Sequence, residues 1–212
     1  MRAGEDRRAH WERVFTERAP ADVSWFEAAP RASLELIDAL GVGPGAGVVD
    51  VGGGASRLAA ALVARGFSDV TVLDLCARAL EASHEEVGAA PPGVAWIRAD
   101  VLEWTPARTF DLWHDRAVFH FMAEPEARRR YVAVALAAVR PGGHLVVGTF
   151  ASDGPERCSG LPVARYDARS LAAEFGEAFA LVKARRDEHR TPRGVIQPFT
   201  WIALRRGPAP PA

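Results

Sequence analysis

The stretch VVDVGGGAS, residues 48–56, joins an apolar strand-like run to the helical pattern SRLAAALVARG at residues 56–66. Three consecutive glycines, residues 52–54, lie at the junction. Glycine lets the backbone turn sharply and approach a ligand without an intervening Cβ atom. In an open parallel sheet, ligands bind at such a strand-to-helix junction. The stretch therefore predicts a binding loop, and a tight turn that merely uses glycine is the structural alternative.

The same alternation of strand and helix continues along the chain. Further strand-like runs are VTVLD, VAWIRAD, FDLWHD and HLVVGTF, which begin at residues 70, 94, 110 and 144. Further helical patterns begin at residues 77, 125 and 168. This alternation is typical of a mainly parallel sheet with helices on both faces. We predict an α/β, doubly wound fold.

Residues at the ends of the helical patterns support these assignments. Gly66, Gly88 and Gly176 suit the left-handed position that follows a helix. Pro125 suits a first helical position, and Asp167 suits an N-cap.

The end of the chain departs from the alternation. The runs ALVKARRDEH (180–189) and QPFTWIALRR (197–206) are both strand-like, and the turn RTPRG follows the first of them. Proline and glycine in that turn predict a hairpin. We therefore expect an antiparallel strand near one edge of the sheet, followed by a disordered tail at residues 206–212.

Composition limits the classes of function. The 212 residues are 49% hydrophobic and 25% charged, which suits one compact domain. The net charge of −1 gives no field that recruits nucleic acid or an anionic membrane, so neither is expected as a partner. Two cysteines in a chain of this length fit a reducing compartment, and we predict a cytoplasmic protein without a metal site.

Two aspartates follow the glycines at the ends of the next strands. Asp74 ends the second strand about 20 residues after the glycines, where a carboxylate can accept bonds from both ribose hydroxyls. This placement suits NAD as well as other nucleosides. However, Arg57 stands where the dinucleotide fingerprint has its third glycine, and Asp100 ends the third strand, where it can meet an adenine amino group.

In this order, VVDVGGGAS, VTVLDLC, IRADVLEW and VRPGGHLVVGTF resemble the motifs of the class I S-adenosylmethionine-dependent methyltransferases over residues 31–203. The resemblance implies a Rossmann-like sheet of seven strands with an antiparallel strand in the C-terminal hairpin. Within the class, HWERVF, VSWFE and HDRAVFHF are similar to the elongation-factor and citrate-synthase lysine methyltransferases and their small bacterial relatives. That group more often has Asp-Lys-Gly where this chain has Asp115-Arg116-Ala117.

The resemblance implies S-adenosyl-L-methionine as cofactor and assigns residues to it. Those residues are Trp25, Gly52, Gly53, Gly54, Asp74, Leu75, Asp100, Val101 and Asp115. Trp25 lies in an N-terminal segment, residues 1–30, which we expect to form a lid over a methyltransferase domain at residues 31–205. Asp115 is expected to face the methionine end of the cofactor.

Methyl transfer from a sulfonium depends mainly on positioning, and a base is needed only when the acceptor arrives protonated. His120 and Asp115 are the candidate catalytic residues, and His114 is a further pocket candidate. The alternative for His120 is packing between its aromatic neighbours. Cys158, with Arg157 and Arg165 nearby in sequence, is expected near the pocket mouth, where a basic group can orient a small acceptor.

The predicted function is methyl transfer to a nucleophilic nitrogen, sulfur or oxygen atom of a small molecule. A protein lysine is the alternative acceptor. A non-catalytic nucleoside-binding module and an NAD-dependent oxidoreductase are the alternatives from other classes. Neither the acceptor atom nor the oligomeric state follows from the sequence.

Overall fold

The computed structural model describes residues 3–88 and 92–208. Its α-helices are Ala3–Glu17 (α1), Arg31–Ala39 (α2), Leu58–Ala64 (α3), Ala77–Val87 (α4), Pro125–Ala138 (α5) and Ala168–Glu174 (α6). Its strands are Val48–Val51 (β1), Val70–Asp74 (β2), Val94–Arg98 (β3), Phe110–Arg116 (β4), Val139–Phe150 (β5), Arg157–Cys158 (β6), Leu161–Pro162 (β7), Phe179–Arg190 (β8) and Ile196–Arg206 (β9).

Seven of these strands form one sheet in the order β3-β2-β1-β4-β5-β9-β8. The first five are parallel, whereas β9 pairs antiparallel with both β5 and β8. The predicted seven-stranded fold and its C-terminal hairpin are confirmed. The strand order reverses between β1 and β4, and a sheet of this type binds ligands outside the carboxyl ends of its strands at that point.

The sheet is buried on both faces because alternate side chains of each strand point to opposite sides. On one face, Val48 and Leu112 pack with α2, α3 and α4. On the other face, Val49 and Trp113 pack with α5 and α6. Consecutive residues of β1 and β4 therefore belong to different cores. This alternation decides which β4 side chains can reach the site described below.

The predicted helix ends are present. Gly66, Gly88 and Gly176 have φ values of 89°, 69° and 63°, in the left-handed region that follows a helix. Pro125 is the first residue of α5. The Asp167 side chain accepts from the Ser170 amide at 2.7 Å and caps α6.

The structure differs from the sequence-based expectation at several boundaries. The N-terminal segment contains a helix, α1, that the sequence patterns did not predict, and α2 follows it before the first strand. Strand β5 begins directly after α5, five residues earlier than the run HLVVGTF. Arg206, assigned to the tail, is the last residue of β9, and residues 209–212 lie outside the described residues. In the part of the chain described here, no helix is both long and apolar enough to span a bilayer.

Candidate active site

A cavity lies beyond the carboxyl ends of β1, β2, β3 and β4, and its space, counted together with its opening to solvent, is about 840 Å³. The strand ends supply Val51, Gly52, Leu73, Asp74, Leu75, Ala99, Asp100, Val101, Arg116, Ala117 and Val118. Helix α1 and the chain around Trp25 cover it from above, and Phe121, Met122 and Cys158 complete the wall.

Each glycine of the loop after β1 is required for a different steric reason. Gly52 has a φ of 66°, and a Cβ atom there would overlap the Val118 side chain. A Cβ atom on Gly53 would overlap the Asp50 carboxylate. At Gly54, a Cβ atom would lie 2.6 Å from Asp74 Oδ2. Gly52 lines the main cavity, and Gly53 lines a smaller chamber beside it. The Gly54 amide donates a hydrogen bond to the Asp74 carboxylate.

Asp74 lies in the cavity wall with its carboxylate oriented by backbone amides. Its Oδ2 accepts from the Gly54 amide at 3.0 Å, and its Oδ1 accepts from the Cys76 amide at 2.8 Å. Burial raises the pKa of Asp74 to about 6, although these two amides oppose the increase. Each oxygen retains a lone pair for a further donor, so this carboxylate can bind two ligand hydroxyls.

Asp100 lies in the same wall, next to Val101. Its Oδ1 accepts from the Leu102 amide at 3.0 Å, which fixes the side chain at the turn after β3. Its Oδ2 is paired with the Arg7 guanidinium of α1 at 2.5 Å. Asp100 therefore holds the first helix against the strand ends as well as bordering the cavity.

Helix α1 covers the cavity with one face. Arg7, Trp11 and Phe15 are spaced four residues apart, so they project from the same side of the helix into the cavity wall. On the neighbouring side, Glu12 accepts from the Ala77 amide at 3.0 Å and caps α4. These contacts anchor α1 over the carboxyl ends of β2 and β3.

Deleting residues 1–27 is expected to abolish turnover while lowering the melting temperature by only a few degrees, because the segment covers the site and contributes little to either sheet face. Activity and thermal unfolding of the truncated protein check this expectation. Arg8→Gln is the control, because Arg8 lies on the exposed side of α1 and its loss should change neither quantity. A truncated protein with full activity would show that α1 is not a functional cover.

The smaller chamber beside the glycine loop is polar. His114 on β4 lies between Asp50 and Ser33, with Nδ1 2.7 Å from Asp50 Oδ1 and Nε2 2.8 Å from Ser33 Oγ. All three residues are buried, and both Asp50 and His114 line the chamber. Within the described residues, Asp50 Oδ2 has no hydrogen-bond partner, although it lies beside Gly53. This buried carboxylate oxygen is available to a donor from a ligand.

Arg116 lies where the main cavity and the polar chamber meet. Its Nη1 donates to the Trp25 carbonyl at 2.8 Å, and its Nη2 lies 3.2 Å from Glu27 Oε1. The guanidinium also lies over the Phe199 ring, 5.1 Å from its centre. Arg116 therefore connects the Trp25 segment to the end of β4.

Comparison with known proteins agrees with this architecture. Residues 48–143 match the sequence profile of the methyltransferase domain family. Nodulation protein S of Rhizobium tropici is 28% identical over 142 residues, which are 64% of this chain. The matched region spans 58% of the length of that relative.

Over this matched region the chain is similar to the class I S-adenosylmethionine-dependent methyltransferases. The N-methyltransferase NodS from Bradyrhizobium japonicum, solved with S-adenosyl-L-homocysteine, shares the fold with a TM-score of 0.72. It is 18% identical, and the alignment covers 92% of this chain and 97% of that one. A 1,6-didemethyltoxoflavin-N1-methyltransferase from Burkholderia thailandensis is 23% identical with a TM-score of 0.70, over 98% and 92% of the two chains. The narrower likeness to elongation-factor and citrate-synthase lysine methyltransferases is not confirmed.

Most residues assigned to the cofactor site of this methyltransferase fold border the cavities. Trp25, Gly52, Asp74, Leu75, Asp100 and Val101 line the main cavity, and Gly53 lines the polar chamber. Their roles toward a cofactor remain predictions. The sequence interpretation missed Asp50, Ser33 and Arg116 as parts of one site. Asp50 lies within the motif VVDVGGGAS, and its position next to the glycines could have indicated that it belongs to the site.

Asp115 is placed differently from the expectation that it faces the cofactor. Its side chain is fully buried on the α5 side of the sheet and accepts from the amides of Val118 and Phe119 at 2.8 and 2.9 Å. The Tyr131 hydroxyl donates a short bond to the same carboxylate. Burial raises the pKa of Asp115 to about 6. The residue caps the turn after β4 and does not border the cavity, so its position argues against a catalytic role.

His120 is also placed away from the cavity. It lies in a single 3-10 turn at Phe119–Phe121, fully buried, with its ring centre 4.9 Å from that of Phe150. Neither ring nitrogen has a partner among the described residues. Burial, assisted by the charge of Arg116, lowers the pKa of His120 from 6.5 to about 3. The ring is buried and does not border the cavity, which favours the packing alternative.

The burial of His120 predicts a specific acid sensitivity. Between about pH 6.5 and 3 the unfolded chain binds a proton on this imidazole and the folded chain does not, so folding stability falls as pH is lowered through that range. From about pH 7.5 to about pH 5, the wild type is expected to lose about 2 kcal/mol more unfolding free energy than His120→Leu. Denaturant unfolding at both pH values checks this. An equal acid loss in both proteins would mean that the ring titrates normally in the fold.

The remaining candidates are the residues expected near the pocket mouth, Cys158, Arg157 and Arg165. Cys158 lines the cavity, but burial raises the pKa of its thiol to about 11, so it is protonated at neutral pH. Arg157 donates to the Gly160 carbonyl, and Arg165 donates to the Gly154 carbonyl at 3.0 Å. Neither arginine borders the cavity. Residues 3–88 and 92–208 contain no group of three or more potential ligand side chains placed to bind a metal.

Proposed function

We propose that the protein transfers a methyl group from S-adenosyl-L-methionine to a nitrogen, sulfur or oxygen atom of a small molecule. One observation carries the proposal. A glycine loop at the strand-order reversal borders a cavity whose wall contains one carboxylate at the end of β2 and another just after β3. The bound S-adenosyl-L-homocysteine of the Bradyrhizobium relative supports the cofactor assignment.

The residues present fit this cofactor. The glycine loop has no room for Cβ atoms, and Gly52 therefore presents bare backbone to the main cavity. Asp74 and Leu75 would hold the ribose and adenine, and Asp100 with Val101 would hold the adenine edge. Asp50 Oδ2, which lacks a partner beside the glycine loop, offers an acceptor for the ammonium group of the methionine part.

Bound in this site, the cofactor supplies an electrophilic methyl group on a sulfonium. The protein residues orient the acceptor and exclude water, and positioning of this kind provides much of the rate enhancement in a displacement reaction. Trp11 and Trp25 cover the cavity with apolar surface. Among the described residues of the wall, each carboxylate is already engaged with an amide or a guanidinium. We therefore infer an acceptor whose lone pair is free at neutral pH and needs no enzymic base.

A small acceptor is favoured over a protein lysine because of the cover. Helix α1 closes the top of the cavity through the Arg7–Asp100 pair and the Glu12 cap of α4. A lysine side chain on a large protein surface needs an open approach to the methyl group. The Burkholderia structure, which was solved with bound 1,6-didemethyltoxoflavin and S-adenosylhomocysteine, supports the same choice.

Titration calorimetry with S-adenosyl-L-homocysteine and with NADH tests the cofactor assignment. We expect saturable binding of S-adenosyl-L-homocysteine and none of NADH. Binding of NADH alone would favour the oxidoreductase alternative. Binding of S-adenosyl-L-homocysteine without turnover on any fraction of a cell lysate would favour the non-catalytic module.

A further inference from the structure

The part of the cavity formed by α1, the Trp25 segment and the chain at and after the end of β4 has an aromatic wall and one cation. We name it the aromatic chamber and define it by Trp11, Phe15, Trp25, Phe121, Met122 and Arg116. We propose that it binds a planar aromatic or heteroaromatic acceptor that carries an anionic or carbonyl oxygen. The inference rests on the proposed function, because it assigns the acceptor class of that same site.

The sheet places the aromatic chamber on the acceptor side. Strand β1 lies between β2 and β4, with Val51 paired to Asp115 at their carboxyl ends. The nucleoside-binding candidates lie at or just after the ends of β2 and β3. Arg116 ends β4, and Phe121 and Met122 come after it. A ligand that extends from Asp74 across Gly52 therefore directs its other end into the aromatic chamber.

The rings of the chamber pack edge to face. The ring centres of Trp11 and Phe121 are 5.2 Å apart, those of Trp11 and Trp25 are 5.8 Å apart, and those of Phe15 and Trp25 are 6.1 Å apart. The planes of each pair are nearly perpendicular, at 78° to 84°. Aromatic side chains in a wall offer ring faces and edges that pair favourably with a further aromatic ring. The composition of the wall therefore favours an aromatic acceptor over a branched aliphatic one.

Arg116 gives the chamber its polarity. Its side chain is only 13% exposed, and its buried Nη2 has no hydrogen-bond partner in the described residues, although Glu27 lies within ion-pair distance. An oxygen on the ligand would satisfy this donor, and a charge-assisted bond in an apolar wall is among the stronger kinds. Arg116 is the cation that serves the chamber, because Arg7, the other cationic side chain of the cavity wall, pairs with Asp100.

The same charge disfavours an ammonium acceptor. A protonated aliphatic amine placed between the rings would lie beside the Arg116 guanidinium, and like charges in a poorly solvated site repel each other strongly. Glu27 is ion-paired with Arg116 and lines the polar chamber, whereas the aromatic chamber as defined contains no carboxylate. The chamber therefore offers no counter-charge to a lysine-like acceptor.

Calorimetry on protein saturated with S-adenosyl-L-homocysteine tests the proposal with three probes of similar size. 1-Naphthoate is aromatic and anionic, 1-naphthylmethylammonium is aromatic and cationic, and decalin-1-carboxylate is aliphatic and anionic. We expect 1-naphthoate to bind about tenfold or more tightly than either of the others. Equal or tighter binding of the ammonium probe or of the decalin probe would overturn the proposal. Failure of S-adenosyl-L-homocysteine itself to bind would instead reject the proposed function.

Two variants assign the effect to residues. Arg116→Gln should weaken 1-naphthoate binding about tenfold or more and remove the preference over the ammonium probe. Trp11→Leu, which changes only the cover, should reduce the affinity for 1-naphthoate to nearly that for decalin-1-carboxylate. This variant provides the test if Arg116→Gln does not fold. Arg129→Gln is the control, because Arg129 is exposed on α5 and pairs with Glu126. Unchanged 1-naphthoate affinity in a folded Arg116→Gln protein, or in Trp11→Leu, would contradict the proposal.

Discussion

Replacing Asp74 by alanine is expected to weaken binding of S-adenosyl-L-homocysteine by at least a hundredfold. The carboxylate can accept two ribose hydroxyls, and charge-assisted bonds contribute roughly 1.5–3 kcal/mol each. The substitution also leaves the Gly54 and Cys76 amides without their acceptor, which loosens the glycine loop. Titration calorimetry near pH 7.5 measures the change. Because burial raises the pKa of Asp74 to about 6, wild-type affinity should also fall as pH is lowered through that value.

Asp69→Ala is the matched control for this prediction. Asp69 lies just before the other end of β2, away from the cavity, where it pairs with Arg108. Its loss should leave the affinity for S-adenosyl-L-homocysteine unchanged. Unaltered affinity in a folded Asp74→Ala protein would remove Asp74 from the site.

Asp115→Ala is expected to lower the unfolding free energy by about 4 kcal/mol. The substitution leaves three buried donors without an acceptor, namely the Val118 and Phe119 amides and the Tyr131 hydroxyl. Each unsatisfied buried donor costs roughly 1–3 kcal/mol. Such a loss is a large fraction of the roughly 5–15 kcal/mol by which a domain is stable. Urea unfolding followed by fluorescence measures it.

Tyr131→Phe is the companion variant to Asp115→Ala. It removes one of the three donors and leaves the Trp113 indole N–H, now 3.0 Å from the Tyr131 hydroxyl, without an acceptor. We expect about 1–2 kcal/mol of destabilisation, less than for Asp115→Ala. Full stability combined with lost turnover in Asp115→Ala would restore Asp115 as a catalytic candidate.

Local patterns were sufficient to predict most of the fold. Continuous apolar runs, glycines at helix ends and the proline and glycine of the hairpin turn each have a direct stereochemical meaning. Helix α1 was not predicted because its many charged residues hide the pattern of the face that covers the cavity. Its signal is the spacing of Arg7, Trp11 and Phe15, which is visible only once a helix is assumed.

The site was only partly predictable. Gly52, Asp74 and Asp100 border the cavity because they lie at or just after the ends of β1, β2 and β3, which the apolar runs located to within two residues. The assignments of Asp115 and His120 relied on nearness in sequence to the end of β4. Strand alternation turns Asp115 toward α5 and its neighbours His114 and Arg116 toward the glycine loop. His120 lies in a turn whose packing against Phe150 depends on a distant strand, so no local pattern indicates its burial.

Methyl transfer from methyl-labelled S-adenosyl-L-methionine is the most direct test of the central claim. The purified protein would be incubated with cofactor and cell lysate, and the lysate would be separated into small molecules and macromolecules. The proposed function predicts that label enters the low-mass fraction and that Asp74→Ala abolishes this transfer. Label in a discrete protein band, with none in the low-mass fraction, would contradict it.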